Sequence, residues 1–301
     1  MLHHSALHSR AQVLQAIRQF FSEQGFLEVE TPVRIPANAP EEYIDPVPTL
    51  TWQLQTSPEI CMKRLLCRGY DKIFQICRCW RSDERGARHL SEFTMLEWYR
   101  SNADYHDLMR DCQGLLQYVA NSCTADACFT RNHSKIDPHA TWQHFSVKEA
   151  FLRFAKADAL ASIGNGLFDE LLTGQVEPAF EEFSVPVILQ DYPAQLAALA
   201  QLRTDHPDLA ERFELYVGGL ELANGFSELT DPQEQRRRFI EANQVRRQMG
   251  KNELSLPEPF LTELSSIPPS AGIALGVDRL VMLTVGADSI DQVVAFTPES
   301  L

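Results

Sequence analysis

Residues 73–100, IFQICRCWRSDERGARHLSEFTMLEWYR, have the pattern of two strands joined by a charged loop. Arg81 ends the first predicted strand, and residues 93–99 alternate as the second. Antiparallel pairing would place polar, sulfur-containing and aromatic side chains on one face: Gln75, Cys77, Cys79 and Arg81 with Phe93, Met95, Glu97 and Tyr99. The opposite face is apolar and predicts the core side: Phe74, Ile76, Trp80, Leu96 and Trp98. A cation, a ring and a carboxylate on one face suit an anionic, aromatic ligand beside a cationic one. ATP beside an amino acid is such a pair.

A second hairpin is predicted over residues 212–228, RFELYVGGLELANGFSE. A two-residue Gly-Gly turn at positions 218 and 219 would set Tyr216 opposite Glu221 and Glu214 diagonally across from Glu221. Two carboxylates so close repel each other unless a cation binds them. A Mg²⁺ shared with ATP phosphates would explain the pair, and two solvated acids on an exposed sheet face are the alternative. Asn224, Phe226 and Glu228 continue toward the same pocket.

Two helix starts complete the set of candidate residues. Residues 270–282, SAGIALGVDRLVM, predict a strand, a turn at Gly276, and a helix capped by Asp278 with Arg279 in its first turn. A helix N-terminus that carries an arginine favours phosphate. Residues 54–59, LQTSPE, predict another helix start, where Ser57 would be an N-cap and Glu59 an acid favoured by the helix dipole.

These segments together resemble the signature motifs of class II aminoacyl-tRNA synthetases, and most closely those of the lysine-specific branch. The second motif is matched by Arg81-x-Asp83, His89-x-x-x-Phe93 and Glu97-x-Tyr99, and the third by residues 270–282. The first motif is matched by an amphipathic helix over residues 11–24, Gly25, and a strand that ends at Pro32. The resemblance implies an α+β fold, with an antiparallel β-sheet flanked by helices, and a homodimer built through the first motif.

The same resemblance implies roles for individual residues. The ATP-binding and catalytic arginines would be Arg81, at the α-phosphate, and Arg279, at the γ-phosphate. Further ATP contacts would come from Asp83 (an acid where the family more often has Glu), His89 and Phe93, which would stack on adenine. Glu214 and Glu221 would hold Mg²⁺. The amino-acid pocket would contain Ser57, Glu59, Glu97, Tyr99, Asn224, Phe226, Glu228 and Ala274, and its acids suit a substrate with two amines.

Lysyl-tRNA synthetases also carry an anticodon-binding barrel of roughly a hundred residues before the catalytic domain. This chain starts at the first catalytic helix, so we expect no anticodon-binding domain. We predict one catalytic domain over residues 1–301, with a tail at 1–10 and a helical insert at about 142–183. That plan resembles the elongation factor P–lysine ligases, which activate (R)-β-lysine with ATP and join it to a lysine side chain of elongation factor P.

Two local details agree with the ligases rather than with tRNA-charging enzymes. Ala274 stands where charging enzymes usually have Gly, and residues 193–200, PAQLAALA, lack the Ser-Pro-Leu of those enzymes. The alternatives are a lysyl-tRNA synthetase without an anticodon domain, a non-catalytic amino-acid-binding paralogue, and an amidating enzyme of the asparagine synthetase type. The substrate would be (R)-β-lysine or lysine.

Net charge, cysteine count and the length of apolar runs bear on where the protein is located and what it binds. A formal net charge of −14 opposes non-specific nucleic-acid binding but does not forbid a local basic patch. Because we expect no anticodon-binding domain, tRNA is not the expected partner. Seven cysteines, an odd number, predict reduced thiols in the cytoplasm, and no second Cys or His pair follows at zinc spacing. No apolar run reaches the roughly 20 residues of a membrane span.

Overall fold

The computed structural model describes residues 4–301, with side chains from Ala6 onward. The strands are β1 Leu27–Glu28, β2 Arg34–Ile35, β3 Pro48–Thr49, β4 Trp52–Leu54, β5 Lys72–Trp80, β6 Glu92–Ser101, β7 Phe129–Arg131, β8 Ser134–Ile136, β9 Gln143–Ser146, β10 Val187–Pro193, β11 Leu209–Val217, β12 Leu220–Ser227 and β13 Ser270–Gly276. The α-helices are α1 His4–Glu23, α2 Glu59–Leu66, α3 Tyr105–Cys123, α4 Val147–Ala150, α5 Ala159–Gly164, α6 Phe168–Leu171, α7 Glu177–Ala179, α8 Pro232–Gln248, α9 Glu258–Glu263 and α10 Val277–Val285. Shorter π and 3₁₀ turns cover Phe151–Ala155, Leu172–Val176, Phe180–Glu182, Ala194–Leu196, Leu264–Ser266, Ile290–Gln292 and Pro298–Ser300.

An eight-stranded sheet forms the centre of the fold, in the order β1-β5-β6-β13-β12-β11-β10-β9. The six strands from β5 to β10 pair antiparallel, whereas the edge strands β1 and β9 run parallel to their neighbours. The predicted α+β class is confirmed, and the predicted antiparallel sheet gains two parallel edges. No helix within residues 4–301 is long and apolar enough to cross a membrane.

One face of the sheet packs against α1, α3 and α10 to form the main core. The predicted stripe of α1 is buried there, with Ile17 and Phe21 fully enclosed. The Phe21 ring stacks on Phe74 of β5 at 4.8 Å and touches Trp98 of β6 at 5.1 Å. Burial of each ring stabilises the folded chain by about 2–3 kcal/mol. Because side chains alternate along a strand, the polar residues of β5 and β6 then lie on the opposite face of the sheet.

The first predicted hairpin has the expected register, and the second has it only next to its turn. In the first, Gln75 pairs with Glu97, Cys77 with Met95 and Cys79 with Phe93. In the second, Tyr216 pairs with Glu221 across the turn. Both turn glycines have positive φ, +58° and +68°, a conformation that suits Gly-Gly. A bulge after this pair shifts the register, so that Glu214 lies opposite Asn224.

Several element boundaries differ from the predictions. Helix α1 begins at His4, so residues 4–10 belong to a helix rather than to a tail; residues 1–3 lie outside the described part. Strand β2 pairs with β4 in a small sheet after the first motif. The insert predicted at about 142–183 starts with β9, which joins the main sheet, and its helical remainder packs around Phe151 and Phe180.

Asp278 does not cap α10, contrary to the prediction. Gly276 is the N-cap residue of α10 and provides no side chain. The buried Asp278 carboxylate instead accepts from the Thr94 N–H at 2.7 Å and from Arg10 Nη1 at 2.6 Å. Arg10 Nη2 also donates to the Thr94 hydroxyl at 2.7 Å. The Asp278 carboxylate thereby joins three elements, α1, β6 and α10. The contact with Arg10 lies in the part of α1 that precedes the predicted start of the helix.

Replacing Asp278 with Ala should destabilise the protein by about 3–5 kcal/mol. The substitution leaves the Arg10 guanidinium and the Thr94 N–H without their buried acceptor. Equilibrium unfolding in urea measures the difference. Glu28→Ala, which removes the exposed ion pair with Arg18, is the matched control and should change stability by less than about 1 kcal/mol. Equal effects of the two substitutions would contradict the proposed anchoring.

Candidate active site

Arg81 and Phe93 are adjacent at one end of the polar sheet face. The Arg81 guanidinium carbon lies 5.1 Å from the centre of the Phe93 ring, and Nη1 lies 3.8 Å from the Glu84 carboxylate. Arg81 Nε is buried and has no hydrogen-bond partner within residues 4–301. Since a buried donor without an acceptor is unfavourable, an anionic ligand group would complete this arrangement.

Arg279, in the first turn of α10, connects to two other elements. Its Nη1 donates to the Glu221 carbonyl at 2.6 Å and lies 3.4 Å from the Glu221 carboxylate. Its Nη2 lies 2.7 Å from Nε2 of His89 in the β5–β6 loop. Burial and the charge of Arg279 lower the pKa of His89, so the neutral ring accepts this hydrogen bond. The predicted ATP contacts His89, Glu221 and Arg279 are therefore brought together.

Two predicted residues have other surroundings than expected. Asp83 is exposed, has a φ of +61°, and makes no ion pair with Arg81, which Glu84 approaches instead. Ser57 is not the N-cap of α2, because that position belongs to Pro58; its hydroxyl accepts from the Glu59 N–H at 3.3 Å. The local turn before Pro58, rather than a cap, fixes the start of this helix.

Glu214 and Glu221 are close enough to repel each other, as the sequence predicted. Burial and the Glu221 charge raise the pKa of Glu214. Arg212 Nη2 at 2.7 Å and the Tyr216 hydroxyl at 2.6 Å donate to the Glu214 carboxylate. Glu177 of α7 joins this group, 3.2 Å from the Tyr216 hydroxyl, and burial together with the two other acids raises its pKa to about 7.

This acidic group fits a magnesium ion only in combination with phosphate. Across residues 4–301, no three His, Cys, Asp or Glu side chains are grouped so that they would hold a metal by themselves. Mg²⁺, however, usually binds one or two carboxylates and takes its other ligands from substrate phosphates and water. Glu221, whose side chain is 39% exposed, and Glu214 provide such a pair.

The other end of the polar face holds three acids and one lysine. Glu97, buried on β6, accepts from the Tyr99 hydroxyl at 2.8 Å. Glu59, the first residue of α2, accepts from Lys63 Nζ at 2.5 Å. Lys63 is itself buried and also pairs with Glu228 of the segment after β12.

These charges leave a net negative pocket. Burial, and next the Glu59 charge, raise the pKa of Glu97 well above its usual range. Burial raises the pKa of Glu228 to about 8, although the Lys63 charge acts in the opposite direction. When all four groups are ionised, three carboxylates and one ammonium carry two net negative charges. Two excess charges match the two amines of a diamino acid.

A single row of side chains connects the two ends of the site. Register pairs join Gln75 to Glu97, Glu97 to Ala274, Ala274 to Asn224, and Asn224 to Glu214. Ala274 thus lies between a pocket acid and the Asn224 side chain, which accepts from Arg212 Nε at 3.3 Å. The methyl group of Ala274 is therefore placed where it would limit the shape of an amino-acid ligand.

The neighbouring row needs a residue without a side chain. Tyr99 pairs with Gly272, and Gly272 with Phe226. A Cβ atom at Gly272 would overlap the Tyr99 ring and the Glu228 carboxylate. Phe226 in turn lies 5.1 Å from Lys63 Nζ, ring centre to nitrogen. The missing side chain of Gly272 thus leaves room for the Tyr99 ring and the Glu228 carboxylate to lie side by side.

Sequence reasoning missed several residues of this site. Lys63 follows Glu59 by four positions, a spacing that signals a helical ion pair, and Arg212 precedes Glu214 by two, which places both on one strand face. Glu177 gave no signal, because the insert that carries it has no clear periodicity. Glu41, in the loop between β2 and β3, lies outside this group of residues; burial raises the pKa of its carboxyl to about 7.

Comparisons with known proteins identify the family of this chain. The family model described as tRNA synthetases class II (D, K and N) matches residues 3–300. An elongation factor P–(R)-β-lysine ligase of Avibacterium paragallinarum is 39% identical, with 97% of this chain and 95% of that protein covered. Proteins of the same name from Histophilus somni (strain 2336) and Salmonella paratyphi B are 39% and 40% identical. In both, the match covers 96% of this chain and 93% of the relative.

The match extends over nearly the full length of each relative, and it includes the three motifs that form the site. The chain belongs to the class II tRNA synthetases and, within them, to the family of elongation factor P–(R)-β-lysine ligases.

Proposed function

We propose that this protein activates (R)-β-lysine with ATP as the aminoacyl adenylate and transfers it to a lysine side chain of elongation factor P. The relatives bear the name of this reaction, and their family is one of ATP-dependent ligases. The observation that carries the proposal is the polar face of the sheet. Arg81, Arg279 and Glu221 lie toward the end where ATP would bind, and a pocket of three acids and one lysine lies at the other end.

In the first step, the substrate carboxylate attacks the α-phosphate of ATP, and pyrophosphate leaves. Arg81, with its unpartnered Nε, would stabilise the charge that develops on the α-phosphate. Arg279 would bind the γ-phosphate. Magnesium held by Glu214 and Glu221 would neutralise the phosphate charges. Both amines of the substrate would lie against Glu59, Glu97 and Glu228.

In the second step, the acceptor amine attacks the carbonyl carbon of the adenylate, and AMP leaves. The adenylate carbonyl is already activated by its AMP leaving group, so direct attack with both reactants held in place is the simplest route. Homodimer formation and a cytoplasmic location stay predictions from the sequence.

Mass spectrometry of elongation factor P tests the whole reaction. The acceptor should gain one lysyl mass when it is incubated with this protein, ATP and (R)-β-lysine, and much less with α-lysine. Incubation without ATP is the control. An unmodified acceptor, in a sample where ATP–pyrophosphate exchange proceeds, would contradict the assignment of the acceptor alone. Efficient charging of tRNA with α-lysine would favour the tRNA-charging alternative.

Replacing Arg279 with Ala should lower ATP–pyrophosphate exchange about 10²–10³-fold. The substitution removes a positive charge that is placed for the leaving pyrophosphate. Arg110→Ala, at an exposed position of α3, removes the same charge away from the site and should leave exchange unchanged. If exchange by the Arg279 variant stayed within about threefold of the parent, the proposed γ-phosphate contact would be wrong.

Replacing Ala274 with Gly should shift substrate preference toward α-lysine. The methyl group between Glu97 and Asn224 excludes ligand atoms there, and a change of one methyl group is worth about 10-fold or more in discrimination. The measurement is the ratio of kcat/KM for α-lysine to that for (R)-β-lysine in ATP–pyrophosphate exchange. Because partial unfolding lowers both values alike, the ratio is its own control. An unchanged ratio would mean that Ala274 does not select the substrate.

A further inference from the structure

A cavity of about 750 Å³ lies beside the active site, and its use is not explained by adenylation. Its walls are residues 40–44 of the loop before β3, residues 194–202, and the first half of α8. Arg212 lines the cavity and also bonds to Glu214 in the acidic group of the active site. The cavity and the active site therefore share a wall.

The loop that carries Glu41 is held firmly in place. Arg246 of α8 is buried, and its Nη1 donates to the carbonyl oxygens of Glu41 at 2.9 Å and Ile44 at 3.0 Å. Its Nη2 pairs with Asp45 at 2.6 Å, and Lys251 pairs with the same carboxylate at 2.7 Å. The backbone of Glu41 is thus fixed by a buried cation, and Glu41 lines the cavity.

The cations of the cavity wall already have partners. Arg212 Nη1 donates to the Leu196 carbonyl at 2.7 Å, in addition to its pair with Glu214. Arg238 donates to backbone carbonyls of residues 198 and 200, and both Arg237 and Arg238 pair with Glu234. Glu241 pairs with Arg237 as well.

The Glu41 carboxylate, by contrast, makes no hydrogen bond or ion pair with any side chain or backbone group of residues 4–301, although it is only partly exposed. The charge that the cavity leaves without a direct partner is therefore negative. A negative wall group without a partner suits a primary ammonium as ligand.

Glu41 lines the same cavity as Arg212, which bonds to Glu214 of the active site. The charges that act on the Glu41 carboxyl come from groups at both ends of the site: Arg81 and Glu84 beside the nucleotide end, Glu59 in the amino-acid pocket, and Arg212. In the proposed reaction, the acyl–phosphate bond forms between Arg81 and Glu59. Burial raises the pKa of Glu41 to about 7, in the range of an effective general base near neutral pH.

We propose that the acceptor lysine side chain enters through this cavity and that the Glu41 carboxylate removes a proton from its ammonium group. This inference rests on the proposed function, because it names the acceptor path of that same reaction. A lysine ammonium, with a usual pKa of about 10.4, is protonated at neutral pH and has no electron pair for attack. The transfer step therefore requires a proton acceptor, whereas adenylation does not.

The step is balanced as follows. Glu41 takes one proton from the acceptor ammonium, and the freed amine nitrogen forms a bond to the adenylate carbonyl carbon. The bond from that carbon to the α-phosphate oxygen breaks, and AMP leaves with the electron pair. The nitrogen then loses a second proton to solvent, which gives the amide. Glu41 returns its proton to water before the next cycle.

Glu41→Gln tests the proposal, because it keeps the shape of the side chain and removes the base. ATP–pyrophosphate exchange with (R)-β-lysine should be unchanged, which also shows that the variant folds. Single-turnover transfer from the preformed enzyme-bound adenylate to elongation factor P should fall about 10²-fold at pH 7. Transfer at the parent rate with normal exchange would overturn the proposal. Failure of exchange in the parent protein would instead overturn the proposed function.

Glu42→Gln is the matched comparison, since Glu42 lines the same cavity. The charge that acts on its carboxyl is that of Asp169 in the insert, and not that of an active-site residue. It should raise the acceptor concentration needed for half-maximal transfer by no more than a few-fold and leave the limiting rate within about twofold. A loss of limiting rate equal to that of Glu41→Gln would mean that general negative charge, and not one base, is responsible, and would overturn the role of Glu41.

The pH dependence separates a base from a structural group. Parent transfer should rise with pH through about 7, because the Glu41 carboxyl must be ionised to accept a proton. The Gln variant should lack this limb and approach the parent rate only near pH 9–10, where free acceptor amine becomes abundant. A constant ratio of the two rates from pH 6 to pH 10 would overturn the proton-transfer role.

Discussion

Backbone hydrogen bonds between five neighbouring strands hold Gln75, Glu97, Ala274, Asn224 and Glu214 in one row across the sheet. A shift of one residue in any of these strands would turn its polar side chains into the core and its apolar ones into the site. The aromatic packing of α1 against the other face opposes such a shift, because it requires burial of Phe74 and Trp98. Formation of the core and alignment of the site therefore depend on the same register.

The electrostatics of the site follow from this row. Carboxylates gathered on one buried face repel each other, and the fold offsets the repulsion with two internal cations: Arg212 at the acidic group of Glu214, and Lys63 between Glu59 and Glu228. Neither cation offsets burial and repulsion completely, since the pKa values of Glu214, Glu97 and Glu228 all remain raised. A bound Mg²⁺ at one end and the substrate amines at the other would lower these pKa values and favour the ionised carboxylates.

Much of this site could be predicted from local spacing. Alternation in residues 73–99 placed Arg81, Phe93, Glu97 and Tyr99 on one face, and the structure has them there. Asp278 was misassigned, because its position at a helix start predicted a cap, while the structure gives its carboxylate to Arg10 and Thr94. Arg10 lies 268 positions from Asp278 in sequence, so no local pattern could reveal this contact.

The sequence by itself determined the faces of the two hairpins, because strand alternation and turn glycines act over a few residues. Its motifs also determined the class of fold and the type of chemistry, through their resemblance to the class II synthetases. The tertiary structure alone decided the charge balance and the approach to the site. Lys63 lies among the pocket acids, Glu177 of the insert reaches the Tyr216 hydroxyl beside Glu214, and Glu41 lines the same cavity as Arg212. These contacts depend on how distant elements pack, and burial, which sets the pKa values of the acids, exists only once the chain is folded.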